Sequence, residues 1–370
     1  MKYLLMMTES NNVMYFRKKF IEFLIDKGHS VVVVAHDKKR EDDIRALGAE
    51  FYNIDQNNRS LNPLSIFKYK KSLKRIVKKE KPDVVCTFQL KPNVFGIPIA
   101  KKMGCANVVG MVEGLGDVYI NNSLKWKCIR FIINRLYKNA FKKANKVFFL
   151  NNDDKNEFIC RKLIKEDKCI LVRGIGVDLN HFEFKPLKNH DRFLMVARML
   201  KTKGIFEYCK CARLVKQKYP SAQFDYLGQE SSVRIEDIKE YIDDNSINYL
   251  GTTSDVRPFI EDATVVMLPS YREGVPMSVM EAEAVGRAII TSDAVGCKEA
   301  VVDGYNGFLV SVGDYMAMAD KAIWCIENKE QVPKMCANAR TYAEDNFDCN
   351  VINQKIYEVA NESIALTIDK

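Results

Sequence analysis

Short, uninterrupted apolar runs alternate with segments of helical periodicity along this chain, and this alternation limits the folds open to it. YLLMM at 3–7 precedes a helical pattern that ends at Gly28, and SVVVVAHD follows at 30–37. Valine-rich runs without polar alternation are typical of parallel strands that helices cover on both faces. Further candidate strands lie at 81–88, 106–114, 144–151 and 169–178. The pattern predicts an α/β fold.

The strand series restarts after residue 190, so we expect two domains. The new candidate strands lie at 191–200, 222–228, 247–251, 264–270, 287–293 and 306–310, and the polar segment 180–190 is typical of a linker. Two such series predict two Rossmann-like, doubly wound domains, at 1–183 and 190–345, that face each other across a cleft. Ligands bind at the carboxyl ends of the strands in such sheets, so both domains are expected to contribute to one site.

Composition limits the kinds of binding partner and the cellular compartment that we expect for this chain. The net charge is +9, which favours an anionic partner: nucleic acid, a phosphorylated ligand or an anionic membrane surface. The eleven cysteines are scattered and include no Cys-x-x-Cys, as expected for reduced thiols in the cytosol. The apolar run at the N-terminus is too short for a signal peptide, and no run approaches the ~18 residues of a transmembrane helix. We therefore expect an intracellular protein with at most peripheral membrane contact.

Two acids flank a Gly-Val-Pro turn in SYREGVPMSVMEA, which begins at Ser270. Glu273 is expected on the loop after a strand, and Glu281 about one turn into a helix that begins near Pro276. The first turn of such a helix attracts anions, because its N–H groups are free and its dipole is positive there. Two solvated surface acids are the alternative to a ligand clamp. The strand–turn–helix order favours the clamp, with Glu283 in a structural role.

Two cations follow another candidate strand, in VARMLKTKG at 196–204. Arg198 and Lys203 lie on the loop between this strand and the next helix. Cations at the carboxyl end of a strand suit a diphosphate, which they stabilise both when it is bound and when it leaves. Spacing alone does not separate this interpretation from an ordinary basic loop.

Taken together, Arg198-x4-Lys203-Gly204, Glu273-x7-Glu281 and NGFLV resemble the donor half of family-four retaining glycosyltransferases of the GT-B fold, which transfer sugars from nucleotide sugars. The resemblance implies that Arg198 and Lys203 hold the diphosphate. It also implies that Glu281 binds the ribose hydroxyls and that Glu273 contacts the transferred sugar. The neighbouring backbone completes the predicted donor site, through Gly274, Val275, Pro276 and Met277. The family further implies that a final helix, at 346–370, packs back toward the first domain.

Motifs of the N-terminal half are similar to one enzyme type within this family: NRSLNP (58–63), KPNVFG (91–96), MVEGLGDVYI (111–120) and IRFIINRLYK (129–138). These enzymes transfer N-acetylgalactosamine from UDP-N-acetylgalactosamine to undecaprenyl-diphosphate-linked N,N'-diacetylbacillosamine, in α-1,3 linkage, for bacterial protein N-glycosylation. The predicted acceptor-binding residues are Arg17, Arg59, Lys91, Asn93, Gly114 and Gly116.

Two other functions stay open at this point. One is a related transferase for another polyprenyl-diphosphate-sugar, in capsule or O-antigen synthesis. The other is a sugar-nucleotide epimerase of the same fold, although such enzymes lack the Glu273-x7-Glu281 arrangement.

Many family members carry a histidine after the strand that corresponds to 107–112, near the reacting sugar. This chain has Glu113 there, which either hydrogen-bonds the acceptor hydroxyl or stabilises the cationic sugar, or else only orders the glycine loop. The predicted catalytic residues are Glu113, Arg198, Lys203 and Glu273. The departing phosphate can itself accept the acceptor's proton. The chain has no Asp-x-Asp, so we expect neither a metal nor a cofactor, with Arg198 and Lys203 replacing the metal's charge.

The segment 123–146 contains eight Lys or Arg and no acid. A helical wheel places its apolar residues on one face, as in a helix that lies on an anionic bilayer. The predicted membrane contacts are Trp126, Ile129, Arg130, Ile133 and Lys138. The alternative is an ordinary helix that packs this face on the sheet. We expect a peripheral protein at the cytoplasmic face of the inner membrane, and no nucleic-acid partner, since the basic excess lies in this amphipathic segment.

Overall fold

The computed structural model describes residues 1–54, 62–121, 123–188 and 190–368, so the predicted acceptor residue Arg59 lies outside the described residues. The chain divides into two compact units. The first comprises Met1–Ile175 together with Cys349–Lys370, and the second comprises Gly176–Asp348. The change of unit thus falls eight residues before the predicted end of the first domain at 183.

The first unit contains a seven-stranded sheet in the order β3-β2-β1-β4-β5-β6-β7, and its recorded strand pairings are parallel. All six strands predicted from apolar runs are present, usually shorter than predicted. The seventh, β3, was not predicted because its four residues carry no long apolar run. The strands are β1 (Lys2–Met6), β2 (Ser30–Ala35), β3 (Glu50–Asn53), β4 (Val84–Phe88), β5 (Asn107–Val112), β6 (Lys146–Phe149) and β7 (Cys169–Leu171).

Helices connect these strands and bury their apolar stripes against the sheet. A large core cluster on one side of the sheet includes Leu4, Val85 and Val108 from the strands and Phe141 and Phe158 from the helices. The helices are α1 (Ser10–Asp26), α2 (Glu41–Ala46), α3 (Pro63–Glu80), α4 (Ile97–Lys102), α5 (Asp117–Ile120), α6 (Leu124–Lys143) and α7 (Asn152–Cys160). A π-helical turn at Pro92–Gly96 precedes α4.

The second unit repeats the architecture with a six-stranded parallel sheet in the order β10-β9-β8-β11-β12-β13. Each strand falls within one of the six predicted segments. The strands are β8 (Arg192–Val196), β9 (Gln223–Leu227), β10 (Asn248–Tyr249), β11 (Val265–Leu268), β12 (Ala288–Ser292) and β13 (Gly307–Val310). The helices are α8 (Ile205–Lys218), α9 (Lys239–Asp243), α10 (Arg257–Asp262), α11 (Met277–Val285), α12 (Tyr315–Glu327) and α13 (Val332–Asn346).

The last helix, α14 (Cys349–Ile368), belongs to the first unit. The Tyr3 hydroxyl donates a hydrogen bond of 2.9 Å to Asn361 Oδ1, and the His29 ring stacks on the Tyr357 ring. The helix buries Ile352, Ile356 and Ala360.

Each sheet has one point at which the strand order reverses. In the first unit this point lies between β1 and β4, and in the second between β8 and β11. The loops that leave the carboxyl ends of two such strands diverge to opposite faces of the sheet and leave a crevice for ligands. We therefore expect ligand-binding residues in the loops that follow these strands.

Candidate active site

The predicted donor cluster lies at the switch point of the second unit. A short 3₁₀ turn, Lys201–Lys203, follows β8, and the loop that contains Glu273 follows β11. The Tyr271 N–H donates to Thr202 O over 2.9 Å, which joins the two loops directly. The Glu273 N–H donates to Val295 O, also over 2.9 Å, which joins the second loop to the segment after β12. Backbone hydrogen bonds thus hold three loops together.

Two glycines allow this close approach. A Cβ on Gly204 would lie 2.2 Å from Pro269 O, and a Cβ on Gly296 would lie 2.3 Å from Glu273 O. Both glycines also have positive φ values, of 75° and 80°. Any other residue at either position would push the loops apart.

Lys203 and Glu273, two of the predicted donor residues, form an ion pair. The Lys203 Nζ lies 2.5 Å from Glu273 Oε1, and the two side chains are 23% and 12% exposed. Arg198, the other predicted diphosphate ligand, precedes this turn and has an exposed side chain. The structure thus joins Lys203 to Glu273 and records no contact between Arg198 and either of them.

The helix α11 begins at Met277, one residue after the predicted Pro276, and no side chain of the described residues caps its N-terminus. The N–H groups of Val279 and Met280 both reach Pro276 O at 3.2 Å. The N–H groups before them are available to an anion, since the first turn of a helix has no carbonyl partners of its own. Gly274, Val275 and Pro276 are buried beneath this end of the helix.

Glu281 lies one turn further along α11 and is partly buried. Desolvation raises the pKa of its carboxyl to about 8. No hydrogen-bond partner of Glu281 is found among the described residues. A desolvated carboxyl without a protein partner needs hydrogen-bond partners, and the paired hydroxyls of a ribose can both donate to it and accept from it.

Glu283 has the structural role that its position suggested. Its side chain is fully buried, and Asn306 Nδ2 donates to Glu283 Oε1 over 2.6 Å. Burial raises the pKa of Glu283 well above its ordinary value, against the effect of the Asn306 hydrogen bond. Asn306 also accepts from the Val302 N–H, so this pair fixes α11 to the turn before β13.

In the first unit, Glu113 is the first residue after β5 and is paired with Arg17 of α1. The Arg17 side chain has no exposed area. Arg17 was predicted to bind the acceptor, but a direct contact with the acceptor does not fit this burial. The cation is instead committed to Glu113, whose side chain is 13% exposed.

Asn93 does not fit a direct acceptor contact either. It is fully buried in the π-helical turn, where it accepts from Thr87 Oγ1 and donates to Met111 O, each over 2.7 Å. Its donor and its acceptor groups are thus used to tie β4 to β5. Lys91 is partly buried just before this turn, and desolvation lowers its pKa. Gly114 and Gly116 have φ values of 138° and 55° in the loop that follows Glu113.

Two family models together match most of the chain. The model of glycosyl transferases group 1 matches residues 177–345, and that of the glycosyl transferase 4-like family matches residues 3–151. A Campylobacter jejuni N,N'-diacetylbacillosaminyl-diphospho-undecaprenol alpha-1,3-N-acetylgalactosaminyltransferase is 30% identical over 369 residues, which cover 95% of this chain and 96% of the relative. This chain belongs to the family-four glycosyltransferases. The transferase interpretation is confirmed, and the epimerase alternative finds no support.

Two further proteins place this transferase among its relatives. An Escherichia coli UDP-Gal:alpha-D-GlcNAc-diphosphoundecaprenol alpha-1,3-galactosyltransferase is 26% identical, over 81% of this chain and 79% of the relative. The structure of Anabaena HepE in complex with UDP superposes with a TM-score of 0.79 over 98% of this chain and 100% of that chain, at 18% identity. The predicted GT-B fold, with two Rossmann-like domains, is confirmed. The enzyme is a hexosyltransferase.

The predicted membrane contacts of the transferase need correction. Ile133 is only 8% exposed and belongs to the core cluster, and Ile129 packs against that cluster. Arg130 donates to Val118 O (2.8 Å) and Asn121 O (2.6 Å), so it braces the preceding loop. The wheel identified an apolar stripe correctly, but the core of the first unit covers it, because burial in the domain core is the larger gain for a wide apolar face.

Another face of α6 remains open. Trp126 is half-buried and Lys138 is exposed. Leu124, Phe131 and Ile132 are 79%, 62% and 58% exposed. Across the described residues, no helix has the length and apolar character that crossing a bilayer requires.

Within the same part of the chain, no cluster of three or more His, Cys, Asp or Glu side chains could hold a metal ion. Independence from metals and cofactors stays a prediction.

Sequence reasoning missed the contacts that assemble the site. Arg17 and Glu113 are 96 residues apart, and no local pattern links them. Tyr271 donates to Glu207 Oε1 over 2.7 Å and so ties the donor loop to α8, again without a signal in the spacing. Gly296 lies in the segment VGCKEAV (295–301), and nothing in that local sequence indicates that a Cβ there would strike Glu273 O.

Proposed function

We propose that the enzyme transfers N-acetylgalactosamine from UDP-N-acetylgalactosamine to undecaprenyl-diphosphate-linked N,N'-diacetylbacillosamine, with an α-1,3 linkage, in the assembly of a lipid-linked glycan for protein N-glycosylation. The likeness to the Campylobacter jejuni transferase along nearly the whole chain supports this choice of substrates. The observation that carries the donor chemistry is the pairing of Lys203 with Glu273 beside the uncapped end of α11.

The donor is held by the second unit in this proposal. Lys203 and Arg198 bind the diphosphate, and the free N–H groups of α11 share its charge. Glu281 accepts hydrogen bonds from the ribose hydroxyls. Glu273 contacts the transferred sugar, with the backbone of 274–277 beside it. The charges need no metal to balance them, since two cations face one diphosphate.

The acceptor is held by the first unit, and the reaction retains the donor's α configuration. The acceptor's hydroxyl oxygen bonds to the anomeric carbon while the bond from that carbon to the diphosphate oxygen breaks. The electron pair leaves with UDP, and the hydroxyl proton moves to the departing diphosphate oxygen. Before the attack, the hydroxyl donates its one proton in a hydrogen bond to Glu113, which orients it. The same proton leaves Glu113 for the diphosphate oxygen only as the bond to UDP breaks. Lys203 stabilises the charge that develops on the leaving group.

The enzyme works at the cytoplasmic face of the inner membrane in this proposal, because its acceptor is anchored there by a polyprenyl chain. The open face of α6 supports this, with Leu124, Phe131 and Ile132 next to exposed Arg135 and Lys138. Apolar side chains enter the boundary region of a bilayer while cations bind anionic headgroups.

The helix α3 adds a second surface of the same kind. Leu64 and Phe67 are 69% and 66% exposed in its first turns. Its remaining exposed face is strongly basic, with Lys68, Lys70, Lys71, Lys74, Arg75, Lys78 and Lys79. Both α3 and α6 contact α4, so they lie on one side of the sheet. Each is a crossover helix between parallel strands, so each begins at the edge of the sheet where Glu113 lies.

A screen of donors against acceptors tests the proposal. UDP-N-acetylgalactosamine, UDP-N-acetylglucosamine and UDP-galactose are each offered with several undecaprenyl-diphosphate-sugars, and the linkage of the product is determined by NMR. We expect transfer from UDP-N-acetylgalactosamine to diacetylbacillosamine with an α-1,3 linkage. A faster reaction with another acceptor would favour a capsule or O-antigen transferase, and a β-linked product would contradict retention. Glu281→Ala provides the control for the donor site and should weaken UDP binding.

A further inference from the structure

Arg17 is the largest fully buried side chain of the first unit, and its burial is unusual for a cation. Its guanidinium carbon lies 4.3 Å from the centre of the Phe88 ring. Nη1 donates to Phe16 O over 3.2 Å, and Nη2 lies 2.9 Å from Met111 Sδ and pairs with Glu113. Taking such a charge out of water is strongly unfavourable unless an anion pairs with it. Glu113 is the recorded anionic partner.

The pair is poorly suited to a purely structural role. Arg17 Nε is buried and has no hydrogen-bond partner among the described residues. A buried ion pair that is not fully satisfied is commonly less stable than apolar residues of the same volume. Stability alone would therefore favour an apolar side chain on α1 at this position. A buried group that is left unsatisfied calls for another explanation.

The pair has a clear effect on Glu113. This residue lies between the last residue of β5 and a loop with two positive-φ glycines. The local backbone alone therefore does not restrict the Glu113 side chain to one rotamer. Arg17 engages Oε1, so the carboxylate is held at the carboxyl edge of the sheet. No described residue is bonded to Oε2, and the side chain keeps part of its surface open. One oxygen is thus anchored and the other is offered outward.

We propose that Arg17 is a positioning residue of the transfer reaction, which acts through Glu113 and fixes the outward oxygen so that it accepts a hydrogen bond from the attacking hydroxyl of the lipid-linked acceptor. This inference rests on the proposed function. Arg17 touches no substrate itself, because its side chain has no exposed area. The ring of Phe88 and the fixed geometry of the guanidinium hold the cation in one place, which a flexible lysine would not match.

A double-mutant cycle in the full-length enzyme tests this role. The variants are Arg17→Met, Glu113→Gln and the double substitution, and kcat, both KM values, UDP affinity and the thermal midpoint are measured for each. We expect Arg17→Met and Glu113→Gln each to lower kcat roughly 10- to 100-fold. The double variant should have the kcat of Glu113→Gln, because Arg17 has no other route to the reaction. UDP affinity should stay unchanged in all of them.

Two further variants separate positioning from folding. Arg17→Lys keeps the charge but loses the stacked, planar group, so its kcat should lie between those of the unchanged enzyme and Arg17→Met. It replaces Arg17→Met in the cycle if that variant does not fold. Lys18→Met is the matched control on the same helix, since Lys18 is exposed and pairs only weakly with Glu22. It should leave kcat within about twofold.

The inference is overturned if Arg17→Met, or Arg17→Lys in its place, leaves kcat unchanged. It is overturned equally if the Arg17 substitution lowers kcat by the same factor in the Glu113→Gln enzyme as in the unchanged enzyme. It is also overturned if the loss of activity merely follows the fraction of folded protein. An unchanged enzyme that transfers no sugar to any lipid-linked acceptor would count instead against the proposed function. Additive effects in an active enzyme would count against the role of Arg17 alone.

Discussion

Each unit of the enzyme places a cation against a glutamate beside the carboxyl ends of its strands, but the two pairs differ in access. Lys203 is 23% exposed and lies on a short turn, whereas Arg17 is fully buried on a long helix. A lysine on a loop can leave its carboxylate for an arriving diphosphate. A buried arginine cannot. We therefore expect the donor-side pair to open when substrate binds and the acceptor-side pair to stay closed.

The largest effect on the transfer rate is expected from a substitution in the Lys203–Glu273 pair, which we expect to open. Lys203→Ala removes a cation from the leaving group and should lower the transfer rate about 100- to 1,000-fold. The rate is measured with saturating UDP-sugar and lipid-linked acceptor, and Lys201→Ala, an exposed neighbour, provides the control. Normal turnover by the Lys203→Ala enzyme would contradict the expected difference between the two ion pairs, because Lys203 would then be only a partner of Glu273.

In the first unit, where the ion pair is expected to stay closed, the expected effect of a substitution is on the stability of the fold. Asn93→Ala removes the donor to Met111 O and leaves Thr87 Oγ1 with only its longer 3.3 Å bond to Val109 O, and it should lower the free energy of unfolding by about 2 kcal/mol. Urea titration measures this, and Thr87→Val, which breaks one of the two bonds, should cost less. The folded fraction of Asn93→Ala should keep its KM for the acceptor. A raised KM at unchanged stability would restore Asn93 as a direct acceptor ligand.

The two units should also differ in their affinity for membranes. Lys71→Glu/Lys78→Glu on α3 should weaken binding to phosphatidylglycerol vesicles about tenfold or more, since each cation contributes ~1 kcal/mol. The same change of charge in the second unit, Lys239→Glu/Lys334→Glu, should have little effect. Sedimentation with vesicles measures both, and phosphatidylcholine vesicles should bind neither variant nor the unchanged enzyme well. Equal losses from both double variants would point to net charge rather than to a surface on the first unit.

The smallest expected effect is a pH dependence of stability that arises from Glu281 when no donor is bound. Folded, empty enzyme holds a proton on Glu281 up to about pH 8, whereas the unfolded chain releases it near the ordinary value of 4.5. The unfolded state therefore binds fewer protons between these values, and stability falls as pH rises through this window. Glu281→Gln lacks this penalty, so its thermal midpoint should rise above that of the unchanged enzyme by a few degrees toward about pH 9 and match it near pH 5. A constant difference across that range would show that Glu281 titrates normally.

The donor half was the more predictable of the two. Its predicted residues lie on short loops and in one nearby helix, so the spacing of Lys203, Glu273 and Glu281 around the strands and the helix was visible in the sequence. The acceptor half depends on contacts between distant segments. Arg17 and Asn93 were predicted to contact the acceptor, but the sequence could not show that both are buried. The same limit explains α6, because a helical wheel finds an apolar stripe without showing which surface covers it.

The strand pattern was readable because parallel strands covered on both faces form continuous apolar runs. All but one strand could be predicted in this way. The exception, β3, has polar Glu50 and Asn53 on either side of its two aromatic residues, so it forms no continuous apolar run.

The return of α14 to the first unit has a consequence for synthesis. The ribosome makes the strands and other helices of this unit first, then the whole of 176–348, and only then the helix that covers Tyr3 and His29. Until residues 349–361 emerge, the face of the first unit that receives Ile352, Ile356 and Ala360 stays open to water and to other chains. The second unit can complete itself during translation, whereas the first must wait until α14 has been made.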